Sequence, residues 1–267
     1  MKPPSQITST ANPRYRALRE ALLASGPKRT YTLLSGAKLI EAWHTARSGA
    51  DPRSPTTPAL AGGARLKPEL WIGLEGVPPP AFARTLDIEA WAVSAKVLAA
   101  LTEAGSPPDC ALVMGVGPDS TGPLADRVIA PWGIQDPGNL GAILRSAASF
   151  GFQEALLGPG CADPFSPKAL RGSMGAAFLM PLRRCETIPF DEGHWYALDG
   201  GEGALPLATA DLSGPLRLLV GNEGHGWQKL ALPAHVQRLA IPIQGMESLN
   251  AAVAAGIACY EAARRLA

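Results

Sequence analysis

The segment Ile241-Pro-Ile-Gln-Gly-Met-Glu-Ser-Leu-Asn250 joins a predicted strand to the last helix of the chain. The apolar run Leu239 to Ile243 predicts the strand, and a glycine turn follows it. Glu247 or Ser248 can cap the helix, in which larger apolar residues recur at helical spacing: Leu249, Val253, Ile257 and Tyr260. The residues between them are small enough for another segment to pass very close: Ala251, Ala252, Ala254, Ala255 and Gly256. Polar groups at such a strand end indicate a site in an α/β domain.

A second segment of this kind, Gly221-Asn-Glu-Gly-His-Gly226, follows the apolar run Leu218 to Val220. Its glycines let the backbone turn tightly beneath a ligand, and Glu223 places a carboxylate directly after the strand. The spacing differs from the dinucleotide-binding fingerprint G-x-G-x-x-G, which follows no predicted strand in this chain. An ordinary Rossmann domain is therefore disfavoured.

The third segment, Asn139-Leu-Gly-Ala-Ile-Leu-Arg145, begins a predicted helix with Asn139 as its N-cap. Gly151 suits the position just after the helix. Arg145 falls off the apolar stripe of this helix and can point away from the core. That stripe consists of Leu140, Ile143, Leu144 and Ala147.

The organisation of the chain predicts two α/β domains. Strands in the second half alternate with helices, which favours a mainly parallel sheet covered on both faces. These strands are predicted at Arg127–Pro131, Glu154–Leu157, Trp195–Leu198, Leu216–Val220 and Leu239–Ile243. The predicted boundaries are a disordered N-terminus at 1–12, a small α/β domain at 13–116, a linker at 117–123 and the larger domain at 124–267.

The smaller domain is predicted from weaker patterns. Strands are expected at Tyr31–Leu34, Leu70–Leu74 and Ala111–Val116, and the Pro-, Gly- and Ser-rich stretch Ser48–Pro68 reads as a loop. Helices are expected at Tyr15–Leu23, Ala37–Ala46 and Ser94–Glu103.

Composition limits the function classes. The formal net charge is +1, so no overall basicity indicates nucleic acid, although basic residues cluster near Lys28 and Arg29 and near Lys168 and Arg171. The four cysteines lie far apart without a C-x-x-C pair, which argues against a zinc site and against a redox motif. The N-terminus lacks an apolar signal region and no apolar run is long enough for a membrane span, so we expect a cytoplasmic protein.

The three segments, in this order and with these separations, closely resemble the motifs of the SpoU/TrmH family. Members of that family are S-adenosylmethionine-dependent RNA ribose 2′-O-methyltransferases of the knotted SPOUT class. The resemblance implies a C-terminal α/β SPOUT domain with a trefoil knot, no metal, and a homodimer formed through that domain. The N-terminal part more weakly resembles the substrate-binding domain of family members that act on ribosomal RNA.

The resemblance also assigns roles to residues. The implied catalytic residues are Asn139, Arg145, Glu223, Ser248 and Asn250. The implied contacts to the cofactor are Gly221, Ile241 and Leu249, through backbone groups. The segment Asp163–Ala176 corresponds to one that helps to hold RNA, and the candidate RNA contacts are Lys28, Arg29, Lys168 and Arg171.

The chemistry explains why such residues are needed. A ribose hydroxyl is a poor nucleophile, and its in-line attack on a sulfonium methyl requires stabilisation of the departing proton and of the developing charge. Arginine is an awkward base because its pKa lies above ~12. We therefore expect Arg145 to stabilise the developing alkoxide; proton acceptance would require a site that strongly depresses its pKa.

The primary prediction is methylation of a ribosomal RNA ribose. The first alternative is a transfer RNA ribose methyltransferase, which the N-terminal domain disfavours. A second is a non-catalytic RNA-binding or ribosome-assembly factor, which the intact set of polar motif residues disfavours. A small-molecule methyltransferase is disfavoured by the additional domain.

Overall fold

The structure is a computed structural model that describes residues 3–47, 66–102, 108–191, 193–222, 230 and 232–265. It divides into two compact units: Met1–Pro118 with Phe165–Pro167, and Asp119–Pro164 with Lys168–Ala267. The change from one unit to the other lies inside the segment 117–123 that was predicted as a linker. Glu223 and most of the predicted loop Ser48–Pro68 lie outside the described residues.

The first unit has a mixed five-stranded sheet in the order β1-β4-β3-β5-β2. Strands β1, β4 and β3 are parallel, whereas β5 is antiparallel to β3 and β2. Its strands are β1 Ser5–Ile7, β2 Tyr31–Ser35, β3 Leu66–Leu74, β4 Glu89–Val93 and β5 Cys110–Val116. Its helices are α1 Pro13–Leu23, α2 Ala37–Arg47, α3 Ala81–Arg84 and α4 Ala95–Thr102, with a 3₁₀ turn at Gly26–Lys28.

The prediction of a disordered N-terminus was wrong for residues 5–7. Strand β1 pairs with Trp91–Val93 of β4, and Ile7 is buried in the core of the first unit. A three-residue strand with one large apolar side chain carries no alternation that a sequence pattern could reveal. The loop predicted at Ser48–Pro68 also extends too far, because β3 begins at Leu66 and accommodates Pro68 beside a register shift.

The second unit has a seven-stranded sheet in the order β10-β12-β9-β11-β6-β7-β8. Every pairing in it is parallel, which confirms the predicted parallel sheet. Its strands are β6 Arg127–Trp132, β7 Glu154–Leu157, β8 Leu182–Arg184, β9 His194–Leu198, β10 Leu205–Pro206, β11 Leu216–Gly221 and β12 Gln237–Ala240. Its helices are α5 Pro137–Ser149, α6 Pro167–Ser173, α7 Ala176–Leu179 and α8 Ala251–Arg264, with a 3₁₀ turn at Leu207–Thr209. The trefoil knot stays a prediction.

The last strand ends earlier than predicted. Strand β12 covers Gln237–Ala240 rather than Leu239–Ile243, because its neighbour β9 ends at Leu198, opposite Leu239. Pro242, which has no N–H to donate to a ladder, lies in the loop that follows. Ile241 therefore lies just beyond the strand instead of inside it.

Both predicted N-caps in the second unit were wrong. Helix α5 begins at Pro137, and the carboxylate of Asp136 accepts the Asn139 N–H at 2.8 Å, so Asn139 lies in the first turn. Proline suits the first helical position, which favours the earlier start. Helix α8 is capped by Asn250, whose Oδ1 accepts the N–H groups of Ala252 and Val253 at 3.0 and 3.3 Å, and not by Glu247 or Ser248.

Helix α8 buries its small residues. Its buried face consists of Ala251, Ala255, Ala258, Cys259 and Ala262, and the helix packs against α5 and β11. The larger apolar residues Val253, Ile257 and Tyr260 are 51%, 39% and 54% exposed. The apolar residues at helical spacing therefore face outward, whereas the alanines allow a close approach to α5.

None of the described helices combines the length and apolarity that a membrane span requires.

Candidate functional site

A cleft of 820 Å³ opens at the carboxyl ends of β9, β11 and β12 in the second unit. Leu198, Val220 and Leu239, at or near the last residues of these strands, contribute to its lining. Crevices at the carboxyl ends of parallel strands are the usual ligand sites of open α/β sheets. The cleft therefore lies where the motifs placed the site.

The three residues predicted to contact a cofactor all line this cleft. Gly221 ends β11, Ile241 follows β12, and Leu249 precedes the cap of α8. Ser248, predicted to be catalytic, lines the same cleft. On its β9 side the ladder of β11 ends at Leu219, whereas on its β6 side the ladder continues to Gly221. The last backbone groups of β11 are thus outside the ladder on the side of the cleft and can bond a ligand.

Sequence patterns missed an ion pair in the wall of the cleft. Asp199 and Arg238 both line the cleft, and Arg238 Nη2 lies 3.0 Å from Asp199 Oδ2. The other carboxylate oxygen accepts the N–H of Gly201 at 2.9 Å, which fixes the turn after β9. The signal was present, since Asp199-Gly-Gly follows a predicted strand just as the three motifs do.

Two predicted catalytic residues meet through their side chains. Asn250 Nδ2 donates to Asn139 Oδ1 over 3.2 Å, which joins the cap of α8 to the first turn of α5. Arg145 lies later on α5 with an exposed side chain and is absent from the described lining of the cleft. Glu223 lies outside the described residues, so its predicted role stays a prediction.

The candidate RNA contacts of the second unit differ in their surroundings. Lys168 Nζ lies 2.5 Å from Asp136 Oδ2, so its charge is balanced, whereas Arg171 is exposed and has no partner among the described residues. The hydrogen bond from Lys168 and that from the Asn139 N–H lower the pKa of Asp136. The neighbouring Arg183 and Arg184 are held in ion pairs with Glu154 and Asp119.

The candidate RNA contacts of the first unit also differ. Lys28 ends the 3₁₀ turn and is exposed. Arg29 Nη1 donates to the carbonyls of Leu22 and Tyr31 at 3.3 and 3.2 Å, which ties the end of α1 to the start of β2. Arg29 therefore stabilises the local fold in addition to any contact with RNA.

Within the described residues, no group of three or more His, Cys, Asp or Glu could hold a metal ion.

Comparison with known proteins identifies relatives over the whole chain. Residues 126–260 match the model of the SpoU rRNA Methylase family. An uncharacterized tRNA/rRNA methyltransferase of Synechocystis is 31% identical over 275 residues, covering 98% of this chain and 94% of that protein. The 23S rRNA (guanosine(2553)-2′-O)-methyltransferase RlmP of Bacillus subtilis is 33% identical over 180 residues, covering 65% of this chain and 72% of that protein.

Solved structures show the same fold. A structure described as an RNA 2′-O ribose methyltransferase is 28% identical, with a TM-score of 0.73 over 98% of this chain and 99% of that one. The SpoU methyltransferase AviRb of Streptomyces viridochromogenes, solved with AdoMet, gives a TM-score of 0.75 at 24% identity over 96% of this chain and 98% of that one.

Proposed function

Because this chain belongs to the SpoU rRNA Methylase family, we propose that it transfers a methyl group from S-adenosylmethionine to a ribose 2′-hydroxyl of ribosomal RNA in the cytoplasm. One observation carries this proposal. Gly221, Ser248 and Leu249 line one cleft, and the Asn250 side chain, directly after Leu249, is bonded to Asn139. Three distant motifs thus meet at one edge of the sheet.

The cleft has properties that fit S-adenosylmethionine. Its 820 Å³ fall within the range of small-molecule pockets, about 300–1,000 Å³. Gly221, Ile241 and Leu249 would hold the cofactor through backbone groups and apolar side chains. When bound there, S-adenosylmethionine supplies a sulfonium methyl group as the electrophile. Asp199 and Arg238 neutralise one another, so they shape the wall without adding net charge.

The wall offers a test of cofactor binding. Asp199→Asn keeps the acceptor for the Gly201 N–H but weakens the attraction to Arg238. We therefore expect this wall of the cleft to loosen and the Kd for S-adenosylmethionine, measured by calorimetry, to rise. Asp211→Asn, an exposed carboxyl in a local turn with Ser213, is the control and should leave the Kd unchanged. An unchanged Kd in Asp199→Asn would contradict this role of the pair.

The chain's own groups then act on the RNA. The hydrogen bond from Asn250 fixes the amide of Asn139, and Asn139 retains its NH₂ as a donor for a ribose or phosphate oxygen. Arg145 stabilises the negative charge that develops on the 2′-oxygen. Ser248, exposed beside the cleft, orients the ribose by a hydrogen bond.

Lys168 and Arg171 hold RNA through its phosphates. Replacing both by Glu should abolish RNA binding while leaving the affinity for S-adenosylmethionine intact. Unaffected RNA affinity would show that the RNA-binding surface lies elsewhere.

We also propose a homodimer formed through the exposed side of α8. Three large apolar side chains on one helix form a patch of the kind that a protein partner covers. Gly256 of this helix lies beside Ser146, the residue after Arg145 on α5, and we propose that a second copy on this patch lies close to Arg145. Ile257→Glu should yield monomers by analytical ultracentrifugation and lower activity together. Leu23→Glu, 68% exposed on α1, is the control that should stay dimeric.

The central experiment maps 2′-O-methylation across ribosomal and transfer RNA in cells with and without the gene. Complementation uses wild type, Arg145→Ala, or Ser149→Ala as an exposed control on the same helix. We expect one ribosomal site to vanish and to return with wild type and Ser149→Ala only. A transfer RNA site would establish the first alternative. No change in any RNA would favour the non-catalytic binding factor.

A further inference from the structure

Met174 has an unusual backbone conformation. Its φ is 48°, and it is the only non-glycine with a positive φ among the described residues. A side chain is disfavoured in this region because Cβ approaches the backbone, and glycine would adopt it freely. Such positions concentrate at functional sites, where the surrounding structure imposes them.

The surroundings of Met174 impose the turn. Ser173 is 1% exposed and its Oγ donates to the carbonyl of Leu170, and the Met174 N–H donates to the carbonyl of Arg171 at 3.2 Å. On the other side, a Cβ on Gly175 would lie 2.6 Å from the ring of Phe178. Met174 is thus the residue of this turn that carries a large side chain, and the residue is 47% exposed.

Helix α6 packs against the stripe of α5 that carries Arg145. Gly138, Gly141 and Arg145 are spaced i, i+3, i+7 and therefore lie on one stripe of α5. A Cβ on Gly138 would meet Lys168 at the start of α6, and a Cβ on Gly141 would lie 2.8 Å from the Ser173 N–H at its end. The Gly141 Cβ position also lies 2.5 Å from the Ala169 carbonyl oxygen, so α6 crosses the stripe at Gly141. Met174 is the first residue after α6, and Arg145 follows Gly141 by about one turn on the same stripe. Helix α7, which follows, also packs against α5.

We propose that Met174 contacts the substrate, with its thioether against the face of the nucleobase whose ribose is presented to Arg145. This inference rests on the proposed function. A flexible thioether packs favourably on aromatic rings of different shape, so it suits a purine or a pyrimidine. The position explains why a strained turn keeps a large exposed side chain where glycine would be easier to accommodate.

Two substitutions separate the side chain from the backbone. Met174→Gly removes the thioether and relieves the strained φ, whereas Met174→Leu keeps an apolar side chain of similar size. The probe is ribosomal RNA from cells lacking the gene, with radiolabelled S-adenosylmethionine. We expect Met174→Gly to raise KM for RNA by about two- to tenfold, with kcat changed less, Tm at or above wild type and the Kd for S-adenosylmethionine unchanged. Met174→Leu should stay close to wild type.

Three outcomes would overturn this assignment. An unchanged KM in Met174→Gly would mean that the side chain makes no contact with RNA. Dissociation of Met174→Gly into monomers would mean that Met174 covers a second copy instead. A lowered Tm would mean that the side chain serves the fold. If wild type transfers no methyl group, the proposed function fails separately. In that case fluorescence anisotropy with the same RNA tests the Met174 contact by itself. Loss of the contact in Met174→Gly should raise the Kd for RNA even when no methyl group is transferred.

Discussion

The amide of Asn250 is oriented by two helices at once. Its Oδ1 accepts two N–H groups in the first turn of α8, so its Nδ2 must be the group that donates to Asn139 Oδ1 on α5. Asparagine suits this position because one side chain supplies both the oxygen that caps α8 and the nitrogen that bonds to α5. Aspartate or serine would cap α8 equally well but could not donate in the same way.

Asn250→Asp should therefore lower activity without a matching loss of stability. The carboxylate keeps the cap, but it faces the Oδ1 of Asn139 with a second acceptor. We expect methyl transfer to fall by about ten- to a hundredfold, the equivalent of ~1–3 kcal/mol for a lost or unsatisfied hydrogen bond. Asn250→Ala is the comparison variant. It loses the hydrogen bond to Asn139 and also the helix cap, so its free energy of unfolding should fall by about 1 kcal/mol. An equal loss of Tm in both variants would contradict this division of roles.

The ion pair of Lys168 with Asp136 predicts an unequal response of RNA binding to salt. Arg171→Ala should reduce the slope of log K against log[KCl] by about 0.7–0.9, the value for one phosphate contact. Lys168→Ala should reduce it less, because Asp136 balances the charge of Lys168. Asp136→Asn keeps a good N-cap and releases the lysine, so it should steepen the slope and tighten binding. Anisotropy titrations across a salt series measure all three, and equal effects of Lys168→Ala and Arg171→Ala would refute the pairing argument.

Sequence patterns predicted the second unit well where burial dominates. Its central strands β6, β7, β9 and β11 carry mostly buried apolar residues. The stripe of α5 is fully buried, as the spacing of Leu140, Ile143, Leu144 and Ala147 predicted. The three residues assigned to the cofactor also line one cleft. Long periodic segments and glycines at strand ends are local signals, so they can be recognised without knowledge of the fold.

The failures concern choices that tertiary contacts decide. Hydrophobic periodicity favours Val253, Ile257 and Tyr260 over alanine as a buried face, but close packing against α5 selects the alanines. The start of α5 was set by the carboxylate of Asp136 in preference to the amide of Asn139. Asp199 became a cleft residue only through its pairing with Arg238 of another strand. Competing local signals of this kind are resolved by neighbours that are distant in sequence.

Two helical glycines should respond oppositely to alanine. A Cβ on Gly141 would lie 2.5 Å from the carbonyl oxygen of Ala169, a backbone atom that cannot move alone. Gly141→Ala should therefore cost about 1–3 kcal/mol by overpacking. Gly256→Ala would meet only Ser146 Oγ at 3.4 Å, so it should gain up to ~1 kcal/mol from helix propensity. Thermal or urea unfolding measures both, and a stabilised Gly141→Ala would show that α6 does not pack as closely as the geometry requires.

The end of α8 predicts a pH dependence of stability. Hydrogen bonds from Arg264 and Arg265 lower the pKa of Glu261 from 4.5 to about 2. A folded-state pKa below the unfolded value favours the ionised, folded form, so this contribution is complete above about pH 4.5 and is lost as the pH falls towards 2. The Tm difference between wild type and Glu261→Gln should therefore be largest near neutral pH, shrink below pH 4.5 and vanish near pH 2. Arg264→Gln should narrow the pH range over which this Tm difference is lost, because it removes the largest cause of the lowered pKa of Glu261. A difference that persists unchanged to pH 2 would show that Glu261 acts through packing and not through its charge.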